Sequence, residues 1–347
     1  MYGRKSSRPI GALLFFLSML YRSAVQLRLA LYDRGFLRRK NLSFPVISVG
    51  NLTLGGTGKT PTVMAIADLL QQQGKAPVVL SRGYGRNKGP AVLTVSDRDR
   101  ILVKADAAGD EPALMASQLK GVPVIVGKDR YAAGMAALSE FRPGVAVLDD
   151  GFQHIRLHRD LDILLVDGIR PFGNGKIFPA GTLREPVDSL KRADVVVITR
   201  AERSPDLNLL KEQIGAHTSA AVFTSRHIPT GLIDLTDDSS KPLSSIQGAA
   251  VLAFSGIARP DAFTALLQEQ GADIRSAVTF PDHHRYSKND VDRLRAQAVE
   301  VGATLIVTTE KDGIKLRDWD LKGFHALRIR LEVLEKNAWE RVLLQRL

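Results

Sequence analysis

The residues with the plainest chemistry stand in GNLTLGGTGKTP, positions 50–61. A short β-rich run, FPVISV (44–49), precedes them. A helical pattern, TVMAIADLLQQQ, follows and closes at Gly74. Strand, glycine-rich loop and helix form the context that a phosphate loop requires. Thr53, Leu54, Gly55, Gly56, Thr57 and Gly58 supply backbone N–H groups for phosphate oxygens. The helix start adds its partial positive charge. In this reading Lys59 reaches the β- and γ-phosphates of ATP, and the Thr60 hydroxyl holds Mg²⁺. One position departs from G-x-x-x-x-G-K-[ST]: Thr53 stands where the first glycine belongs. The competing reading is a chance glycine-rich turn.

Further polar groups sit where strands end. VAVLDDGFQH (145–154) is an apolar strand running into Asp149 and Asp150, the arrangement in which a carboxylate reaches Mg²⁺ directly or through water. Gln153 and His154 follow on the same loop. PVVLS (77–81) runs into Arg82, Gly83, Tyr84, Gly85 and Arg86. Loops at the carboxyl ends of parallel strands line the crevice of such sheets. These groups either meet phosphate and sugar or form a solvated basic turn. In Gly109-Asp110-Glu111-Pro112, Asp110 is either a helix N-cap or, with Glu111, one of two acids serving as base and metal neighbour. Asp282-His283-His284 reads as a metal site, an exposed turn or part of an active site. The loop 170–186, RPFGNGKIFPAGTLREP, is long enough to be functional and ends on Arg184 and Glu185.

The elements that must position these groups are short apolar strands alternating with helical stretches. DILLVDG (162–168) and ADVVVIT (193–199) continue the series. The pattern predicts an α/β fold with a mostly parallel sheet covered by helices on both faces. Length alone, 347 residues, predicts about two domains. TDDSSKPLSS (236–245) reads as a polar connector. A second set follows: VLAFSGI (251–257), a helix from Pro260, TFPDHHRYS (279–287), a helix near 289–300 and ATLIVTTEKD (303–312). The expected division is a segment 1–40 attached to a P-loop domain 41–222, then a smaller α/β domain 223–347. No internal repeat is visible.

Charge is concentrated at one end. Residues 1–40 hold nine basic residues, among them Arg4 and Lys5, against Asp33 alone, which is +8 of the chain's net +11. A nucleic-acid enzyme spreads positive charge over its body, so a basic end on a nearly neutral body points to an anionic surface instead. Leu13, Phe16, Leu17, Leu20, Ala24, Leu27 and Leu31 form one apolar stripe if 10–32 is helical. Such a helix lies in a membrane interface. A signal peptide and a plain packed helix are the alternatives, and no small-x-small cleavage site follows the run. No uninterrupted apolar stretch reaches the ~18–20 residues of a bilayer span. The chain has no cysteine, which excludes disulfides, thiolate zinc sites and cysteine nucleophiles.

The ordered set GGTGKT, SRGYGR, GDEP, DDGFQH, FPAGTLREP, FSGIARP, FPDHH and TEKD resembles the tetraacyldisaccharide 4′-kinases, over roughly residues 10–315. The resemblance implies transfer of the ATP γ-phosphate, with Mg²⁺, to the 4′-hydroxyl of a tetraacylated glucosamine disaccharide 1-phosphate, giving lipid IVA. It implies a peripheral enzyme at the cytoplasmic face of the bacterial inner membrane, held by its first helix; the chain is expected to be a monomer, and its charge distribution to leave it without a nucleic-acid partner. It also implies a smaller domain that closes on the P-loop domain. Matched residue by residue, it makes Asp110 the proton acceptor and His283 its partner. Lys59 and Arg184 act on the phosphates. Thr60, Asp149, Asp150 and Glu111 stand toward the metal. Arg82, Tyr84, Gln153 and His154 face the substrate.

Three rivals stay in view. A GTPase needs an N-K-x-D base reader, and the nearest string, Thr309-Glu310-Lys311-Asp312, lacks the asparagine and the spacer. A soluble small-molecule kinase would bury the first helix. A nucleic-acid ATPase conflicts with the charge distribution.

Overall fold

The structure is a computed structural model that describes residues 8–87 and 89–347. The basic residues Arg4 and Lys5 lie outside the described residues. In chain order, α1 (Arg8–Asp33) leads into β1 (Val46–Asn51), α2 (Lys59–Gln72) and β2 (Pro77–Ser81). Next come β3 (Val92–Ser96), α3 (Ala105–Ala108), α4 (Asp110–Gln118) and β4 (Val124–Gly127). They are followed by α5 (Arg130–Phe141), β5 (Val145–Asp149), β6 (Leu161–Asp167), β7 (Val195–Thr199), α6 (Leu207–Gly215) and β8 (Ala221–Asp234). The remainder is β9 (Ser240–Lys241), β10 (Ala250–Ser255), α7 (Pro260–Glu269), β11 (Asp273–Thr279), α8 (Lys288–Glu300), β12 (Leu305–Thr309), α9 (Glu310–Gly313), β13 (Phe324–Val333) and α10 (Lys336–Gln345).

The chain divides into two compact units. The first takes the chain up to Arg82, Asp129–Arg226 and Glu332–Leu347; the second takes Gly83–Lys128 and His227–Leu331. This differs from the contiguous division expected at 222/223. Gly83–Lys128 joins the second unit because α4 packs on α9. The C-terminal segment joins the first because the Trp339 ring packs edge-on to Phe223 and Glu335 accepts from both the backbone and hydroxyl of Thr224. Composition marks surface polarity and carries no record of such returns of the chain.

In the first unit the strands run in the order β8-β7-β6-β1-β5-β2, all parallel. Each of β1, β2, β5, β6 and β7 is buried along its whole length. That is why these strands read as continuous apolar runs and not as alternations. Burying each Val, Leu or Ile there contributes ~1.5–3 kcal/mol. α2 packs across β1, β2 and β5. In the second unit β11-β10-β12-β13 form a parallel sheet, and β3 and β4 pair antiparallel. The polar stretch 236–245 connects two elements of the second unit. It holds the turn of a hairpin and its short return strand β9, with Leu232 opposite Lys241 and an Asp234–Lys241 ion pair at 3.0 Å.

α1 departs from one expectation. Its segment Ile10–Asp33 is long and apolar enough to cross a membrane by length and composition, and only 6% of that window is buried. Arg22 and Arg28 break the apolar run without lowering its average far enough. Ser18 is buried and Leu14, Val25 and residues 29–32 are half-buried, while Leu13, Phe16, Leu17, Leu20, Ala24 and Leu27 of the expected stripe are exposed and its last member, Leu31, is half-buried. The buried Ser18 hydroxyl donates to the Ile177 carbonyl and accepts from the Ala180 N–H, both at 2.9 Å.

Candidate active site

The first unit holds the phosphate loop between β1 and α2. Residues 182–184 of the long loop are strapped along it. Leu54 N–H donates to the Thr182 carbonyl and Arg184 N–H to the Leu52 carbonyl, both at 2.7 Å, and Thr53 bridges Leu183. On the other side the Thr199 hydroxyl donates to the Thr57 carbonyl at 2.9 Å, and Arg200 donates to the Gly56 carbonyl at 3.0 Å. Gly58 caps α2 in the left-handed region at φ 85°, with no side-chain cap among the described residues. The N–H groups of the first turn therefore face outward for an anion. Space is open beyond the loop: a Cβ on Gly55 or Gly56 would meet nothing within 4 Å.

Lys59, Asp150 and Arg184 meet at this loop. One terminal nitrogen of Arg184 lies 2.9 Å from each oxygen of Asp150, and Lys59 Nζ lies 3.7 Å from Asp150 Oδ1 and 3.2 Å from Asn51 Oδ1. Burial acts to raise the Asp150 carboxyl, but Lys59 and Arg184 outweigh it and hold it below the usual range. Asp149 is buried and accepts from the Ser81 hydroxyl at 2.9 Å. Arg130, buried at the start of α5, is destabilised as a cation by burial and held charged by Asp149 and Asp150. The Gln153 side chain donates to the Asn51 carbonyl at 3.0 Å, and the Gln153 backbone carbonyl accepts from Arg28 of α1. Burial and Arg130 push His154 down to about 4, so its imidazole is neutral at ordinary pH. Arg82 is exposed at the end of β2. Thr60, Asp149 and Asp150 offer only hard oxygen donors, the set that suits Mg²⁺.

The second unit holds Asp110, Glu111, Tyr84 and His283. Asp110 opens α4, and the N-cap is Gly109 at φ 93°. Any side chain there would place its Cβ 2.6 Å from the Tyr84 carbonyl, so the GDEP turn requires glycine. The N-cap alternative for Asp110 therefore falls. Instead Asp110 Oδ2 lies 3.1 Å from His283 Nδ1 and 3.8 Å from Lys315 Nζ. The exposed Tyr84 ring lies edge-on to His283 at 5.9 Å. Glu111 stands 3.8 Å from Lys311, in the other unit from Thr60, Asp149 and Asp150. His284 stacks on Phe280 at 4.6 Å and reaches Asp290, a packing role. Among the described residues no three histidine or carboxylate side chains gather to hold a metal, so the metal reading of the Asp-His-His turn is set aside.

Sequence reasoning missed Asn51, Ser81, Arg130 and Arg200 in the first unit, and Lys311, Asp312 and Lys315 in the second. The string TEKDGIK did carry a signal, two lysines four residues apart beside acids. A cavity of about 500 Å³ in the second unit, lined by Leu114, Gln118, Glu310, Arg317 and Arg328, contains none of these groups.

A phosphate loop opening a helix, beside a strand that ends in two acids within a parallel sheet, defines a P-loop phosphotransferase. The chain belongs to the tetraacyldisaccharide-1-P 4′-kinase family, which matches residues 10–347. The tetraacyldisaccharide 4′-kinase of Geobacter metallireducens is 46% identical over 309 residues, covering 89% of each chain. That of Syntrophus aciditrophicus is 40% identical and covers 99% of this chain and 94% of its own. The crystal structure of LpxK from Aquifex aeolicus in complex with ATP superposes with a TM-score of 0.81 at 35% identity, covering 97% of this chain and 99% of that one.

Proposed function

We propose that this chain transfers the γ-phosphate of ATP to the 4′-hydroxyl of a tetraacylated glucosamine disaccharide 1-phosphate. The observation that carries the reading is the phosphate loop with Lys59, Arg184 and Asp150 converged on it, in a chain of this family. The loop amides, Lys59 and Arg184 neutralise charge on the transferring group, and catalysis is mostly positioning. Thr60, Asp149 and Asp150 are the residues that would hold Mg²⁺, which would offset charge on the transferring phosphate; Glu111 is assigned to the same metal-side role. A sugar hydroxyl is a weak nucleophile near neutral pH. Asp110 takes its proton as the new P–O bond forms, a step worth ~10²–10⁴-fold, and His283 orients that carboxylate. Arg82, Tyr84, Gln153 and His154 are assigned to the substrate. The enzyme is proposed to act as a monomer.

α1 is read as an interfacial helix on the cytoplasmic face of the inner membrane. Its exposed apolar arc supports contact with lipid. Ser18, in the first half of the helix, is pinned to the Ile177–Ala180 loop, which favours lying on the membrane over crossing it. Arg22 near the centre of a span would also cost ~2.5–3.5 kcal/mol.

The test is purified protein with labelled ATP and lipid A disaccharide 1-phosphate in detergent. A product heavier by one phosphate at the 4′ position is expected. ATP turnover with no phosphorylated lipid would overturn the reading.

A further inference from the structure

Two lysines of the second unit stand on the Asp110–His283 pair, and the reaction as described does not use them. Lys311 Nζ lies 3.2 Å from His283 Nε2, 3.8 Å from Glu111 Oε1 and 3.9 Å from Asp282 Oδ1. Lys315 Nζ lies 2.8 Å from Asp312 Oδ1, 3.1 Å from the His284 carbonyl and 3.8 Å from Asp110 Oδ2. The two lysines are four residues apart, so a helical turn presents both to one side.

Their frame is rigid. Asp312 is fully buried. Its Oδ2 accepts from the Thr309 hydroxyl at 2.8 Å and from the Gly256 N–H at 3.0 Å. The Gly256 carbonyl in turn accepts from the His283 N–H at 3.2 Å. One buried carboxylate thus ties the turn that carries Lys311 and Lys315 to the turn that carries His283. His283 itself holds a left-handed backbone at φ 59°, unusual for a residue with a side chain.

The direction of each hydrogen bond follows from what the groups can do. An ammonium has three donors and no acceptor, and an ionised carboxylate only accepts. A neutral imidazole has one donor nitrogen and one acceptor nitrogen. Lys311 at Nε2 therefore requires the lone pair there, which puts the ring proton on Nδ1. The Nδ1–H then donates to Asp110 Oδ2. The other tautomer would point an Nε2–H at the ammonium and a bare Nδ1 lone pair at the carboxylate. Both contacts to Asp110, from His283 and from Lys315, fall on Oδ2 and neither on Oδ1.

We infer that Lys311 is a positioning residue for the phosphoryl transfer. It fixes His283 as the Nδ1–H tautomer, so that the ring clamps Asp110 Oδ2 and leaves Oδ1 to take the acceptor proton. In that step the acceptor O–H bond breaks and its proton passes to Asp110 Oδ1. The acceptor oxygen bonds to the γ-phosphorus, and the bond from that phosphorus to the ADP oxygen breaks. This inference rests on Asp110 being the base.

The test uses the full chain labelled with ¹⁵N-histidine. Long-range ¹H–¹⁵N spectra report which ring nitrogen carries the proton, and the His283→Gln spectrum assigns the signal. In the parent chain His283 should show a protonated Nδ1 and a bare Nε2. Lys311→Met, and Lys311→Gln as a second variant, should shift the ring toward the other tautomer. Both should lower kcat for the lipid at least ~10-fold, a part of the ~10²–10⁴-fold that a general base supplies. KM for ATP should stay within about twofold. Lys311→Arg keeps a donor and should restore the tautomer and most of kcat. A fall in kcat with the tautomer unchanged would mean a structural role and overturn the inference, as would a tautomer change with kcat intact, or no change in either. Asp110→Asn is measured alongside: full activity there would remove the base reading itself, a result distinct from failure of Lys311.

Discussion

Arg184 presents a single terminal nitrogen to both oxygens of Asp150, at 2.9 Å each, while Lys59 stands 3.7 Å from the same carboxylate. An anion held between two cations keeps both of them beside the phosphate loop before nucleotide arrives. Side-chain rotamers that phosphate binding would otherwise have to order are ordered in advance.

That arrangement separates two variants. Lys59→Ala removes a charged contact to the transferring phosphate and should lower turnover ~10²-fold or more. Its melting temperature should fall only modestly and the fold should survive, because Arg184 still pairs with Asp150. Arg184→Lys should keep the charge but lose the fixed contact to both oxygens, giving a loss smaller than that of Arg184→Ala. Rates with labelled ATP and thermal melts on the three proteins check this. Full activity in folded Lys59→Ala would end the P-loop assignment.

Asp110 and His283 should behave as one device. Asp110→Ala should lower kcat more than it raises KM for ATP, and His283→Ala should act on the same step. The double variant should be little slower than the slower single one. Multiplicative losses would mean independent roles. Since Gly109 and not Asp110 caps α4, the stability cost of Asp110→Ala should come from the helix-dipole contribution of ~0.3–1 kcal/mol and the lost contacts to His283 and Lys315, not from a lost cap. A large fall in melting temperature with near-normal kcat would contradict the base assignment.

What the sequence made legible was local. Phosphate loop, strand-end acids and GDEP turn are contiguous strings whose chemistry is written in adjacent residues. Strands such as Pro77–Ser81 were legible because full burial leaves no polar interruption. Contacts between distant parts of the chain were not. Ser81 meets Asp149 across 68 positions, and Asp110 meets His283 across 173. The first had no signal in either string, and only family resemblance suggested the second. The division differs from the boundary expected at 222/223 for the same reason, since Gly83–Lys128 groups with His227–Leu331 and Glu332–Leu347 with the first unit.

His154 gives a stability prediction with a definite sign. Its imidazole titrates near 6.5 when unfolded and at about 4 when folded, because burial and Arg130 oppose the charged form. Between those values the unfolded chain binds a proton that the folded chain does not. Stability is therefore fully present above ~6.5 and falls as pH drops toward ~4. The loss is on the order of 2 kcal/mol after allowing for solvent screening of a part-exposed ring. Urea midpoints at pH 7.5 and 5.0 should converge in His154→Gln relative to the parent. An equal shift in both proteins would assign the acid sensitivity to other groups.

The membrane helix makes the last prediction. α1 turns Leu13, Phe16, Leu17 and Leu20 outward, at 57%, 59%, 40% and 54% exposure. Their removal should leave the first unit folded, because Ser18 and not these residues holds the helix to it. Apolar burial is insensitive to salt. Each basic residue near an anionic surface contributes ~1 kcal/mol at most, and salt screens it beyond ~8–10 Å. Flotation with anionic liposomes should therefore weaken but not vanish as salt rises. Changing the four residues together to serine should release the protein even at low salt. It should also slow phosphorylation of lipid more than any intrinsic ATP hydrolysis, because the phosphate loop lies outside the helix. A Ser18→Leu variant separates docking on the unit from contact with lipid: it should disturb the Ile177–Ala180 loop while leaving flotation intact. If the four-serine protein floats and turns over lipid like the parent, α1 is a packing element only and the interfacial reading fails.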